Sequence, residues 1–352
     1  MDVLRPTLIN INGRIYRKNA VKEQTYQNDE EEEFSYAENS LCTDEPCDSL
    51  QIEQTDKGYR CAIDVPSVLY KYIIGKKGET KKRLEAETRT SINIPKQGVE
   101  GEIVITGQQR SSVISACTRI ELLVESFRKK QPFTHFLSFA LNEPHIQKQF
   151  LKFKEEVLSK CSQDSGIDGS IFQNPAKLHL TIGTLALLNE KEVRKACDLL
   201  QVCKDEFIKD ITGEKPLPIT VEGIEYMNDD PAMVDVLYAQ VQAQDGSDKH
   251  QIIADQLVER FVASGLMTKE WDRVKLHATV MNTIFRKDPS AEDKGPTGLL
   301  RQERESFDAR NVLKMFEQYR FGDLDLNAVH LSQRYSTDSS GYYTSSGFIT
   351  FS

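Results

Sequence analysis

Lys177-Leu178-His179-Leu180-Thr181-Ile182 returns 98 residues later as Lys275-Leu276-His277-Ala278-Thr279-Val280. Both copies read as strands, and alternate side chains of a strand face opposite ways. Leu178, Leu180 and Ile182 then face a core, while His179 and Thr181 share the other side. Likewise Leu276, Ala278 and Val280 turn inward, and His277 and Thr279 outward. Each copy projects an imidazole beside a hydroxyl from a strand anchored by aliphatic packing. Facing each other across a cleft, the two strands supply two imidazoles and two hydroxyls, a set that needs no metal and no other cofactor.

Such a set suits phosphodiester cleavage. A neutral histidine takes the proton of the attacking hydroxyl or water, and a protonated one gives a proton to the leaving oxygen. An unperturbed pKa near ~6.5 lets both forms coexist around neutral pH. Each transfer is worth about 10²–10⁴ in rate. Threonine hydroxyls can donate to the non-bridging oxygens, where charge builds in the transition state. His179, Thr181, His277 and Thr279 are therefore the candidate catalytic residues, with acid and base unassigned between the histidines. His330-Leu331-Ser332 has the same spacing but lacks the leading Lys-Leu, and Gln333 replaces the aliphatic residue, so it reads as a structural strand. His135, His145 and His250 have no motif context. Tyr226, Tyr342 and Tyr343 can stack on a base, though such rings more often fill cores.

Working outward, strand-like and helix-like segments alternate from about 131 to 352. Strands are expected at 133–139, 177–183, 219–227, 233–241 and 275–281, and helices at about 143–161, 189–208 and 247–264. A helix from about Ala309 and two strands end the chain. A polar insertion containing Pro and Gly covers about 286–305.

Upstream, 59–65 reads as a strand with Cys61, Ile63 and Val65 on one face, and Pro66-Ser67 opens a short helix through Tyr72. Ile73-Ile74-Gly75-Lys76-Lys77-Gly78 follows, then a helix to about Arg89 and strands at 90–95 and 102–107. A helix at about 110–128 carries Val113, Ala116, Ile120, Leu123 and Val124 at helical spacing. The order is β-α-α-β-β-α. Two glycines let a turn bend tightly and approach a ligand. Gly78 opens a helix whose free N–H groups favour an anion, Lys76 and Lys77 bring cations there, and Ile73 and Ile74 can line an apolar groove for bases. Net charge agrees: +6 over 60–130, against −7 over 1–59 and −8 over 131–352. In a chain of net charge −9, a phosphate backbone has one basic segment on which to dock.

Residues 1–57 hold the run Asp29-Glu30-Glu31-Glu32-Glu33 and read as an acidic, largely flexible tail. Within it, residues 8–16 alternate and turn at Asn12-Gly13, which fits a short hairpin or a partner-docking strand. The 7 cysteines are scattered without a Cys-x-x-Cys, which fits reduced thiols rather than a zinc cage or disulfide framework. No apolar run approaches ~20 residues, and the first residues lack a signal-peptide core, so neither membrane insertion nor secretion is expected.

Residues 58–130 resemble the KH domain of the eukaryotic, type I kind. The resemblance implies a clamp for about four nucleotides of single-stranded RNA, or of single-stranded DNA. It makes Ile73, Ile74, Gly75, Lys76, Lys77 and Gly78 the nucleic-acid-binding residues. Residues 131–352 resemble the two-histidine (2H) phosphoesterase superfamily, including its kinase-anchoring-protein-like branch. That implies a two-lobed α+β fold with pseudo-twofold symmetry and one motif per lobe. Together the two domains resemble a family of nuclear coactivator-complex subunits. This implies a location in the nucleus, a large helicase subunit and other complex members as partners, and links to transcription regulation and alkylation-damage repair. The activity implied is metal-independent hydrolysis of single-stranded RNA or RNA ends, 2′,3′-cyclic phosphates included. Two other readings stay open. One is a scaffold whose cleft binds a phosphate or nucleotide without turnover; the other, less compatible with a KH domain, is a small-molecule cyclic-nucleotide hydrolase.

Overall fold

Residues 7–11, 14–18, 51–96, 98–227, 229–269, 272–286 and 305–352 are described by the structure, a computed structural model. The chain divides into two compact units, residues 1–129 and 130–352.

In the first unit β1 (Thr7–Ile11) and β2 (Arg14–Lys18) pair antiparallel, with Ile11 opposite Arg14. The rest runs β3 (Ile52–Thr55), β4 (Gly58–Asp64), α1 (Tyr70–Ile74), α2 (Glu79–Thr88), β5 (Thr90–Asn93), β6 (Glu102–Gly107) and α3 (Arg110–Arg128). Its antiparallel sheet has the order β3-β4-β6-β5. β3 lies ahead of the first strand expected from the sequence. Only Ile52 of its four residues is shielded at all, so apolar alternation gave no signal, and pairing to β4 makes the strand. α3 buries Val113, Ala116, Cys117, Ile120 and Leu123, while Val124 stays half-buried at the rim of that face. Tyr72 stacks on Phe127 at 4.0 Å between centroids and so ties α1 to α3.

The second unit opens with β7 (His135–Ala140), α4 (Pro144–Cys161) and β8 (His179–Leu185). It continues through α5 (Glu190–Cys203), a π-helical stretch to Ile208 and α6 (Lys209–Thr212) into β9 (Leu217–Tyr226). The opening pattern then repeats as β10 (Val236–Ala243), α7 (Lys249–Ala263) and β11 (Ala278–Asn282). α8 (Arg310–Phe316), β12 (Arg320–Leu326), β13 (Ala328–Thr337) and β14 (Tyr343–Thr350) follow. Three strands thus end the chain instead of the two expected. β12 was hidden because its register shifts between Arg320 and Gly322, which breaks the alternation around Phe321.

The eight strands order as β12-β9-β10-β11-β8-β7-β13-β14. The middle of this sheet is a thin seam, because β11 and β8 are joined by a single pair, Ala278 with Leu180. On either side lies a four-stranded antiparallel half, and each half presents its motif strand at the seam. The helices interlock the halves. α4 follows β7 but packs on β12, and α7 follows β10 but packs on β8. Phe150, Phe153 and Val157 of α4 and Ile253, Leu257 and Phe261 of α7 belong to one continuous core beneath the sheet.

Candidate functional site

The seam brings the two motifs together. Extending its antiparallel register one residue each way from the Ala278–Leu180 pair sets His277 across from Thr181, and Thr279 across from His179. The aliphatic partners are buried as expected at Leu178, Leu180, Ile182, Ala278 and Val280. Leu276 is the exception, being only partly buried. β11 starts at Ala278, so the strand expected from Lys275 is shorter and His277 stands just before it.

Both rings are held by a backbone carbonyl two residues upstream. His277 Nδ1 lies 2.6 Å from Lys275 O, and His179 Nδ1 lies 2.7 Å from Lys177 O. A carbonyl can only accept, so Nδ1–H donates in both rings, which fixes the tautomer and leaves Nε2 as the working atom. Each Lys of the Lys-Leu-His motif thus spends its carbonyl on orienting the imidazole. Thr181 Oγ1 lies 3.1 Å from His179 Nε2 and donates to it. Rotation about its Cα–Cβ bond turns the same hydroxyl toward a phosphate oxygen.

A β-bulge stands beside each threonine, at Leu137/Ser138 in β7 and at Leu237/Tyr238 in β10. Such bulges re-aim neighbouring side chains. They set Ser138 opposite Thr181, and Tyr238 opposite Thr279. His179 sits among rings, 5.1 Å from Phe136 and 5.4 Å edge-on from Tyr343. His277 meets Tyr238 at 5.2 Å, and the Tyr238 hydroxyl donates to Glu225 Oε2 at 2.7 Å. Burial, with the Glu225 carboxylate adding to it, pushes the Tyr238 hydroxyl up to about 12, so it remains a donor.

Burial also pushes His179 down to about 4. The Lys177 carbonyl resists, while repulsion from His277 and from the Lys177 cation adds to the fall. Burial lowers His277 as well, with the Lys275 carbonyl opposing and the Lys275 cation assisting. Burial thus disfavours the protonated form of both rings, His179 the more strongly. Among the described residues no three His, Cys, Asp or Glu side chains converge as a metal cage requires.

The geometry also bears on the remaining readings. Tyr342 and Tyr343 are buried and packed with Phe136, so their faces are not open to a base. Tyr226 packs against the main core. His330, read from sequence as structural, pairs with Ser138 and shares the motif face of the sheet. Arg286 and Glu305 bound the expected insertion and are held together, with Arg286 Nη1 3.1 Å from Glu305 Oε2 and Arg286 Nε 3.4 Å from Asp168 Oδ2. Residues 287–304 and the Asn12-Gly13 turn lie outside the described residues.

In the first unit Gly75 (φ 71°) ends α1. A Cβ there would lie 2.2 Å from Thr80 Oγ1, so only glycine fits. Gly78 (φ 81°) opens α2, no side chain caps that helix, and a Cβ at Gly78 would meet nothing within 4 Å. Lys77 between them takes a left-handed conformation (φ 51°), and both Lys76 and Lys77 are exposed. Ile74 is half-buried beside this loop, but Ile73 is 0% exposed. Ile73 is therefore a core residue and cannot touch a base.

Residues 133–351 match the AKAP7 2'5' RNA ligase-like domain, and residues 60–122 match the KH domain. The class is thus a KH domain followed by a 2H phosphoesterase-like domain. A Mus musculus protein, activating signal cointegrator 1 complex subunit 1, is 56% identical over 357 aligned positions that cover 100% of both chains. The chain belongs to that family. An uncharacterized protein of Schizosaccharomyces pombe is 29% identical over 158 residues, 45% of this chain and 70% of its own. Two solved structures align more weakly. E. coli LigT with 3'-AMP has 13% identity and a TM-score of 0.36, over 62% of this chain and 98% of its own. Kluyveromyces marxianus Usb1 with uridine monophosphate has 14% identity and a TM-score of 0.31, over 62% and 97%. At such scores nothing further is inferred from them.

Proposed function

We propose that the protein holds single-stranded RNA at the Gly75–Gly78 loop and cleaves a phosphodiester or 2′,3′-cyclic phosphate at the seam between β8 and β11, without a metal. The observation that supports this most is the paired ring geometry. Each imidazole is held by its own motif lysine carbonyl, so that Nε2 faces the site as the working position. His179, pushed lower, stays neutral and takes the proton from the attacking hydroxyl. His277 takes up a proton when the phosphate arrives and delivers it to the leaving oxygen. An anion between the rings favours the charged form that burial disfavours, so binding and proton uptake are coupled. Thr181 and Thr279 donate to the non-bridging oxygens.

Following the name of its mouse relative, we assign the protein to an activating signal cointegrator complex in the nucleus. There it would work beside a helicase subunit in transcription regulation and alkylation-damage repair. Precipitation of the endogenous protein from nuclear extract should bring down a helicase; its absence counts against this assignment.

The activity is tested with wild type and the His179→Ala/His277→Ala double variant in EDTA. The substrates are end-labelled RNA, its all-deoxy counterpart and RNA ending in a 2′,3′-cyclic phosphate. Cleavage by wild type only is expected. The burial that disfavours protonation of both rings favours a second reading, a scaffold that binds phosphate without turnover. An RNA mobility shift by both proteins, with no cleavage by either, selects that reading.

A further inference from the structure

The pairing registers lay out what flanks the two histidines. In one half a row runs across the sheet from Thr181 through Ser138 and His330 to Phe348. In the other half the matching row runs from Thr279 through Tyr238 to Glu225. His330 and Glu225 therefore hold equivalent places. The ends of the rows differ in kind. Beyond Tyr238 lies a cavity of about 320 Å³ whose lining includes Glu222, Glu225 and Glu317. Arg320 offsets Glu222 at 3.1 Å, so the repulsion of a phosphodiester backbone at that end comes from Glu225 and Glu317.

Beyond Ser138 there is no carboxylate in the row, and the rings are continuous. Tyr343 touches His179 at 5.4 Å, Tyr342 touches Tyr343 at 5.4 Å, His330 touches Tyr342 at 6.0 Å, and Phe348 lies near-parallel to His330 at 5.8 Å. Phe348 is 61% exposed although it stands on a sheet face next to buried aromatics. With strands about 4.8 Å apart, β14 lies roughly 14 Å from β8. That separation suits a neighbouring nucleotide rather than the one being cleaved.

We propose that His330 and Phe348 form a stacking platform for a base of single-stranded RNA flanking the scissile phosphate, so that the strand leaves the site over this half and not over the acidic one. This rests on the phosphodiesterase reading above. A lone exposed ring stacked on an imidazole matches one base in size, far short of the roughly 800 Å² per partner of a stable protein interface. Bases stack on such rings without needing a particular sequence.

The test uses the full chain and a trinucleotide carrying 2-aminopurine either 5′ or 3′ of its central phosphate. One of the two positions should be quenched on binding and the other not. Phe348→Ala should abolish that quench and weaken trinucleotide binding roughly 10-fold. It should also raise KM for the trinucleotide more than for a 2′,3′-cyclic mononucleotide. His330→Ala should act in the same direction. Met315→Ala, which alters an exposed apolar residue on α8, is the control. A quench that survives Phe348→Ala, or one equal at both positions, overturns the platform. Because quenching needs no turnover, it still reports if the protein cleaves nothing, so failure of the platform and failure of the phosphodiesterase reading stay separable.

Discussion

Ser138 and Tyr238 occupy the same place in the two halves of the second unit. Each follows a leucine at a bulge and faces the threonine of its motif strand. Around Ser138 the half is filled with rings, Phe136, Tyr342 and Tyr343, and His179 is the polar group set among them. Around Tyr238 the half is polar, and both Tyr238 and Gln240 donate to Glu225. One backbone plan thus gives two imidazoles with the same tautomer and different surroundings. Symmetry supplies the matched geometry, and the broken symmetry gives the two rings the different environments that the proposed mechanism uses.

Deleting either imidazole breaks the comparison outright. His179→Ala and His277→Ala should each lower kcat by about 10²–10⁴. The double variant should lose little more than the worse single one, because groups that act as a unit are strongly non-additive. Independent, multiplying losses in steady-state kinetics would mean that the halves do not cooperate.

Opening the aromatic half should sharpen the contrast through pH. kcat/KM reports the free site, where one ring must be neutral and the other protonated. With both rings depressed by burial, the optimum should lie below pH ~6.5, the ordinary histidine value. Tyr343→Ser admits water beside His179, raises its pKa and moves the optimum upward. An optimum that stays put would show that burial by this ring is not what lowers His179. The smallest effect is expected in the polar half. Tyr238→Phe removes the donor to Glu225 and should cost roughly 2- to 10-fold in kcat, with KM little changed. A loss confined to KM would make Tyr238 a binding residue instead.

Much of this was legible in the sequence, and the misses share a cause. Alternation found the motif strands because His179 and Thr181 are set off by buried Leu178, Leu180 and Ile182. Helical spacing found α3 for the same reason. Alternation could not show that Ala278 pairs with Leu180, and hence that the motifs are neighbours, because strand pairing is non-local. His330 reads as structural in the sequence because no Lys-Leu precedes it and Gln333 replaces the aliphatic residue; only the register with Ser138 places it on the motif face. Ile73 and Ile74 are alike in sequence, and packing alone separates the buried one from the one left at the loop. The depression of both imidazoles was hidden as well, since desolvation depends on rings such as Tyr343 that lie far away along the chain.

The most direct measurement is an NMR titration of the His179 and His277 rings, with and without a nucleoside 3′-phosphate. Without it, both should titrate below ~6.5, His179 near 4, each with Nδ1 protonated in the neutral form. With it, one ring should rise sharply while the other remains neutral. Two rings titrating near 6.5 and indifferent to the phosphate would contradict a shared two-histidine site.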